Sequence, residues 1–349
     1  MRKNDICAVL SLTEQSDSLR ALTLKRPIAA LPFASRFRII DFPLSSVSEA
    51  GVKSVALFIG KSGRSIYDHV RSGSSWGFDS HVNGGIFTFS QQFYKYSLGE
   101  EVGYEDFYED LIEFVKRSHV GYVFISGSKV IANVNLEDVK QEHIESGCDI
   151  TQIFDEGHRN LNKYLLSTPK LYEMISLAVK EKLFVEVDEL IRHYSAKETV
   201  NTYIHLGYTA IINDLSDYFH ANMDMLDSQK FKSLFYASNP VVTKTRNGAP
   251  SFFTDDAIVL NSLIATDCVV RGHVERSLLS RRVEVEKDAH VKNTIILQGC
   301  HIGKGASIEY AILDKGVQVG KGAVIKGTPD NILLITKNDI IGENEERRV

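Results

Sequence analysis

From Val283 onward the chain repeats itself every five or six residues, and so short a repeat permits few folds. Small or aliphatic side chains stand at Val283, Ala289, Ile295, Cys300, Ala306, Ala311, Val317 and Ala323, in steps of six, six, five, six, five, six and six. A second register runs through Val285, Val291, Leu297, Ile302, Ile308, Leu313, Val319 and Ile325. A hexapeptide period is the signature of a parallel β-helix. Each short strand turns a side chain onto the axis, and stacked coils bury a column that one coil alone could not. Gly299, Gly303, Gly305, Gly316, Gly320 and Gly322 fall at the corners, where positive φ is needed. An ordinary β-sandwich is the alternative, but it gives no reason for eight positions to stay in step.

Ahead of the repeat the pattern is different. Ile6–Leu10, Ser54–Ile59 and Val120–Ser126 are short apolar runs bounded by glycine or polar residues. Such runs read as strands buried on both faces of a largely parallel sheet. Between them lie helical patterns, as over Asp106–Arg117, where Phe107, Leu111, Phe114 and Val115 recur on one face. Strands alternating with helices predict an open α/β sheet. The expected division is residues 1–245 for an α/β domain and 246–349 for the β-helix.

Charge and cysteine usage narrow the function. A net charge of −5 gives no basic surface for nucleic acid. No apolar run approaches the length of a membrane span. Cys7, Cys148, Cys268 and Cys300 are scattered, with no CxxC pair, which argues against a zinc or redox motif and suits a reducing cytoplasm.

Three segments carry a family resemblance. Arg36-Phe37-Arg38-Ile39-Ile40-Asp41-Phe42-Pro43-Leu44-Ser45 resembles the [KR]-[YF]-R-I-I-D-F-x-L-S-N stretch of ADP-glucose pyrophosphorylases, the glucose-1-phosphate adenylyltransferases. Ser74-Ser75-Trp76-Gly77-Phe78-Asp79 is similar to that family's G-S-P-W-D-L-D, and Tyr218–Asp224 to its Y-W-x-A-N-x-D. The resemblance implies a nucleotidyltransferase domain, Rossmann-like and of the GT-A type, followed by a left-handed β-helix.

The residues that carry the family's chemistry are missing. Its glycine-rich G-G-x-G-x-R-L loop lets backbone N–H groups approach a triphosphate. Here the loop reads Leu12-Thr13-Glu14-Gln15-Ser16-Asp17-Ser18-Leu19: no glycine remains, Ser18 stands at the arginine position, and Glu14 and Asp17 add negative charge. Ile28 replaces the lysine of R-A-K-P-A-V, and Ser128 the magnesium-binding aspartate of S-G-D-H-x-Y. Counting back from Ala221-Asn222 places Ile211 at the second metal aspartate. Gly103-Tyr104-Glu105-Asp106-Phe107 puts bulk where the family's base loop is small. No Glu-Lys-Pro occurs, and the chain is expected to pass from Gln152–His158 directly into a helix at Leu161-Asn162-Lys163.

What the resemblance leaves is a basic group, Lys25, Arg26, Arg36 and Arg38, of which Lys25 matches a lysine the family uses for activator anions such as sugar phosphates. The other reading pairs Arg38 with Asp41 in the core. His273, His290 and His301 raise an acyltransferase reading, against which the α/β domain and their expected solvent-facing positions weigh. The resemblance implies a regulatory-class subunit with no cofactor of its own, assembled with a catalytic homologue, as a hetero-tetramer, that keeps the Mg²⁺. The alternative is an active adenylyltransferase making ADP-glucose and pyrophosphate from ATP and glucose 1-phosphate.

Overall fold

A computed structural model describes residues 5–60, 62–79, 84–90, 108–237 and 239–349. The first sheet has seven strands: β1 (Ile6–Leu12), β2 (Ser54–Ile59), β3 (Gly85–Ser90), β4 (Tyr122–Ser126), β5 (Ile150–Asp155), β6 (Asn160–Ser167) and β7 (Asn201–His205). Their order is β7-β5-β6-β4-β1-β2-β3, and only β6 runs antiparallel to its neighbours. Every residue of β1 is buried, because helices cover both faces. Ala8 and Leu10 join one layer with Leu44 and Val47 of α1 (Asp41–Glu49), and Ile66 and Val70 of α2 (Arg64–Val70). Cys7 and Val9 join the other with Leu111, Phe114 and Val115 of α3 (Glu109–Ser118), as the helical spacing predicts. The Gly103–Phe107 segment lies outside the described residues.

Leu161-Asn162-Lys163 forms no helix. It lies inside β6, the second strand of a hairpin with β5. The periodicity there is two: Leu161 and Leu165 face one core layer, Tyr164 and Leu166 the other. Helix α4 (Thr168–Glu181) starts only after Ser167, whose hydroxyl caps it by accepting from Lys170 N–H.

The second domain is the parallel β-helix. Its three faces begin with Phe252–Phe253, Ile258–Leu260 and Leu263–Ile264 and stack upward in parallel register. His273 pairs with His290, His290 with Ser307 and Ser307 with Val324, so each of these coils takes 17 residues. All sixteen residues of the two sequence registers are buried. Two of them are buried by something other than the column. Thr294 and Ile296, not Ile295 and Leu297, lie beside the inward-facing Ala311 and Leu313 of the next coil. Ile295 belongs to an outward row, Leu263, Leu278, Ile295, Ile312 and Leu334, aligned coil by coil. That row packs on the α/β domain, against Leu19, Leu22, Ile28 and Phe219. An apolar residue at a domain junction reads in sequence like one on the axis.

The corner glycines also divide. Gly299, Gly305, Gly316 and Gly322 have positive φ, but Gly303 and Gly320 do not. A Cβ on Gly303 would lie 2.7 Å from backbone atoms of the next coil, so there the need is for close approach.

A buried ion pair fastens the domains together. The Arg26 guanidinium meets Asp314 of the β-helix at 2.7 Å, and its Nε donates to Leu22 O. Ser35 Oγ donates to Leu263 O at 3.1 Å.

Candidate functional site

In an open α/β sheet, ligands bind beyond the carboxyl ends of the parallel strands. Here that place is filled by the protein's own groups. The loop after β1 carries Glu14 into it, and donors converge on the carboxylate. Its Oε2 accepts from Ser128 Oγ at 2.9 Å, from Lys129 N at 2.9 Å and from Ser128 N, while Oε1 accepts from Asn162 Nδ2 at 3.0 Å. The same Asn162 amide donates to Asp188 Oδ2 at 2.9 Å. The fit is close: a Cβ on Gly127 would fall 2.2 Å from Asn162 Nδ2 and 3.0 Å from Glu14 Oε2.

This network is costly electrostatically. Burial and the neighbouring Asp188 push the Glu14 carboxyl above its usual range, against the pull of its donors. Lys163 lies beneath, fully buried, with Nζ donating to Ser126 Oγ at 2.7 Å; burial lowers its ammonium to about 8. His205, buried near Lys163, is lowered to about 4 by desolvation first and that cation second.

The four family-equivalent positions carry neither a carboxylate nor a cation. Ser128 is part of the Glu14 network. Ile211 pairs with Val130, and Ser128 lies two residues before Val130, on the bend that leads into that strand. Ser18 is exposed on a short 3-10 turn, and Ile28 is buried in the domain junction. None of these side chains offers a carboxylate to a hard cation.

The basic group is partly dispersed and partly enlarged. Arg26 is withdrawn, buried against Asp314 and unavailable to a ligand. Lys25 is exposed and lines no part of the cavity described next. Arg38 does not pair its guanidinium with Asp41: the aspartate accepts from Arg38's backbone N–H at 2.9 Å, while Nη1 donates to Ser65 O at 2.7 Å. Arg36 and Arg38 line a small cavity of about 40 Å³ at the domain junction, together with His69, Arg246, Arg281 and Lys315. Burial and neighbouring cations lower Lys315 to about 8 and Arg38 to about 10. The wall of this cavity is therefore strongly positive. Arg246, Arg281 and Lys315 are absent from the sequence-derived set, because they come from a linker and two separate coils with no local motif. A larger cleft, about 1510 Å³, lies at the amino ends of β1 and β2, near Ile6 and Ser54, away from where such sheets bind ligands.

On the β-helix surface, the His273 and His290 rings lie 5.5 Å apart and His301 Nε2 is 3.7 Å from Glu286. His290 is exposed and the other two are half-buried.

Comparison with known proteins follows this division. A family model described as GlmU-like, C-terminal hexapeptide matches residues 251–331. The glycogen biosynthesis protein GlgD of Bacillus subtilis (strain 168) is 33% identical over 288 residues, covering 82% of this chain and 82% of that protein. GlgD of Geobacillus stearothermophilus is 35% identical over 286 residues, with the same coverage. This chain belongs to the GlgD family. A glucose-1-phosphate adenylyltransferase of Geobacillus stearothermophilus is a more distant relative, 24% identical over 327 residues and covering 82% of this chain and 83% of that protein. The GlgD-family chain therefore shares a descent with an adenylyltransferase while carrying Glu14, Ile28 and Ser128. Among its described residues, no helix is long and apolar enough to cross a membrane.

Proposed function

We propose that this chain is a regulatory subunit of a glucose-1-phosphate adenylyltransferase, with negligible catalysis of its own, supporting ADP-glucose synthesis for glycogen in the cytoplasm. The observation that carries this reading is Glu14, whose carboxylate takes up the donors at the sheet's carboxyl end where a triphosphate would need them. The Mg²⁺ of the reaction then belongs to a catalytic homologue, with which this chain forms a hetero-oligomer, a tetramer by family resemblance. The first coil of the β-helix supports association: Phe252, Phe253, Ile258 and Leu260 are exposed on its terminal strands. Exposed edge strands with apolar side chains invite packing by another subunit.

The test is to mix the full chain with its catalytic homologue and record mass by light scattering alongside rate. A mixed complex with altered rate or activator response is expected. Absence of a complex, with the homologue's kinetics unchanged at saturating amounts of this chain, overturns the reading. Any effect must come from unequal affinity for the homologue's active and inactive states.

The cavity of Arg36, Arg281 and Lys315 is the effector site in this reading, and a phosphate or sugar phosphate its ligand. Arg36→Ala and Arg281→Ala are each expected to shift activation of the mixed assembly to higher effector concentration by on the order of tenfold, the worth of one charge-assisted hydrogen bond. Lys25→Ala, outside the cavity, leaves the curve in place. Unchanged curves for both arginine variants would remove the cavity from regulation.

A further inference from the structure

The outer face of the β-helix carries a group of side chains that takes no part in the Glu14 network or the basic cavity. Glu284 and His301 hold the same position on successive coils: they are partners in the parallel register, with Gln318 next above. Glu286 follows two residues after Glu284, at the end of the same short strand. Glu284 is exposed, and Glu286 and His301 are half-buried. One ligand atom from each, a carboxylate oxygen from either glutamate and a ring nitrogen from the histidine, lies within 4.8 Å of both others. Among the described residues, no other three His, Cys, Asp or Glu side chains converge in this way.

The geometry differs from that of a solvated acidic patch. His301 Nε2 stands 3.7 Å from Glu286 Oε1, too far for a hydrogen bond. Ligands held ~2.1 Å from a tetrahedral zinc ion lie about 3.4 Å apart, so the observed gap is close to one edge of that polyhedron. The backbone beneath is fixed by the ladder. Glu284 N donates to Cys300 O at 3.0 Å, Glu286 N to Ile302 O at 2.9 Å and His301 N to Val317 O at 3.0 Å. Glu286 is steered as well, because Arg271 of the preceding coil donates from Nη1 to its Oε1 at 3.0 Å. Outer groups of this kind orient metal ligands. Arg282, Lys287 and Lys304, close by in sequence, pair instead with Asp267, Asp256 and Asp288.

We propose that Glu284, Glu286 and His301 form a zinc site on the β-helix surface, spanning two successive coils and leaving one coordination position to water. The donor set selects the ion. Imidazole suits zinc and its late-transition neighbours, whereas magnesium and calcium take oxygen ligands. The ion accepts the Nε2 lone pair of the neutral ring, whose hydrogen then sits on Nδ1, and one oxygen from each glutamate. Two carboxylates beside one guanidinium leave a single net negative charge to meet the ion, so its affinity is modest. The site stands independently of the regulatory reading.

The test uses the full chain, stripped of metal with a chelator and titrated with Zn²⁺ by calorimetry. One saturable Zn²⁺ per chain is expected, retained in excess Mg²⁺. His301→Ala and Glu284→Gln, each checked for folding by circular dichroism, are expected to weaken it by at least about tenfold, the scale on which even outer-shell losses are felt. His290→Ala and Cys148→Ser, which remove other accessible zinc ligands, are expected to leave the affinity in place. Co²⁺ is the spectroscopic probe: a visible absorption band of four-coordinate Co²⁺ is expected in the unaltered chain and is absent from His301→Ala. No saturable Zn²⁺ binding overturns the proposal. So does binding that survives both His301→Ala and Glu284→Gln, which would mark an adventitious ion only.

Discussion

With ATP, glucose 1-phosphate and Mg²⁺, the isolated chain is expected to release no pyrophosphate above background. The reason is not one missing group but an occupied site. Glu14 already accepts from Ser128 N and Oγ, Lys129 N and Asn162, so a triphosphate arriving there meets a carboxylate that has taken those donors. Ile28 supplies no counter-charge and is buried at the domain junction. Ser128→Asp alone is expected not to rescue activity. It would set a second carboxylate where Ser128 Oγ now lies, 2.9 Å from Glu14, and like charges at that range raise one pKa strongly instead of building a metal site. Turnover in the ~1–10³ s⁻¹ range of ordinary enzymes would sink the occupied-site account.

The second large effect is on stability. Arg26→Met is expected to destabilise the chain by ~3–5 kcal/mol, the usual cost of leaving one partner of a buried ion pair uncompensated. The pair is 8% and 5% exposed at its two side chains, so little of that cost is screened. Asp314→Leu is expected to cost a similar amount, because it leaves the Arg26 guanidinium buried without a counter-charge. The double variant Arg26→Met with Asp314→Leu is expected to recover most of the loss, because a well-packed apolar pair often equals a buried salt bridge. Urea midpoints for the single and double variants supply the cycle. Additive losses would mean that the two residues act independently.

How much of this was readable in advance depends on how local the cause is. The β-helix was legible because its period arises coil by coil, each inward residue answering only to its neighbours above and below. It misled at Ile295 and Leu297, where the burying surface is another domain. Loss of the phosphate loop was visible in Leu12–Leu19, but Glu14's role was not, since Asn162 and Asp188 lie far along the chain. The hairpin at Leu161–Lys163 was hidden because Lys163 is a charged residue at a position buried from both sides, which breaks the apolar alternation of a strand. The cavity was half legible: Arg36 and Arg38 sit in a recognisable stretch, whereas Arg246, Arg281 and Lys315 meet them only through the fold.

The row Leu263, Leu278, Ile295, Ile312 and Leu334 has a consequence for the nascent chain. Each coil contacts its predecessor over a short stretch of sequence, so the β-helix can grow by accretion as it emerges, in the manner of low contact-order structures. The α/β domain cannot finish so soon. Leu19, Leu22 and Ile28 find their covering surface only in residues made much later. At ribosomal speeds of ~5–20 residues per second, that apolar surface stays wet for on the order of half a minute. The interval in which this chain is most prone to aggregate, and most in need of a chaperone, thus falls while its first domain is otherwise folded and its last coils are still being translated.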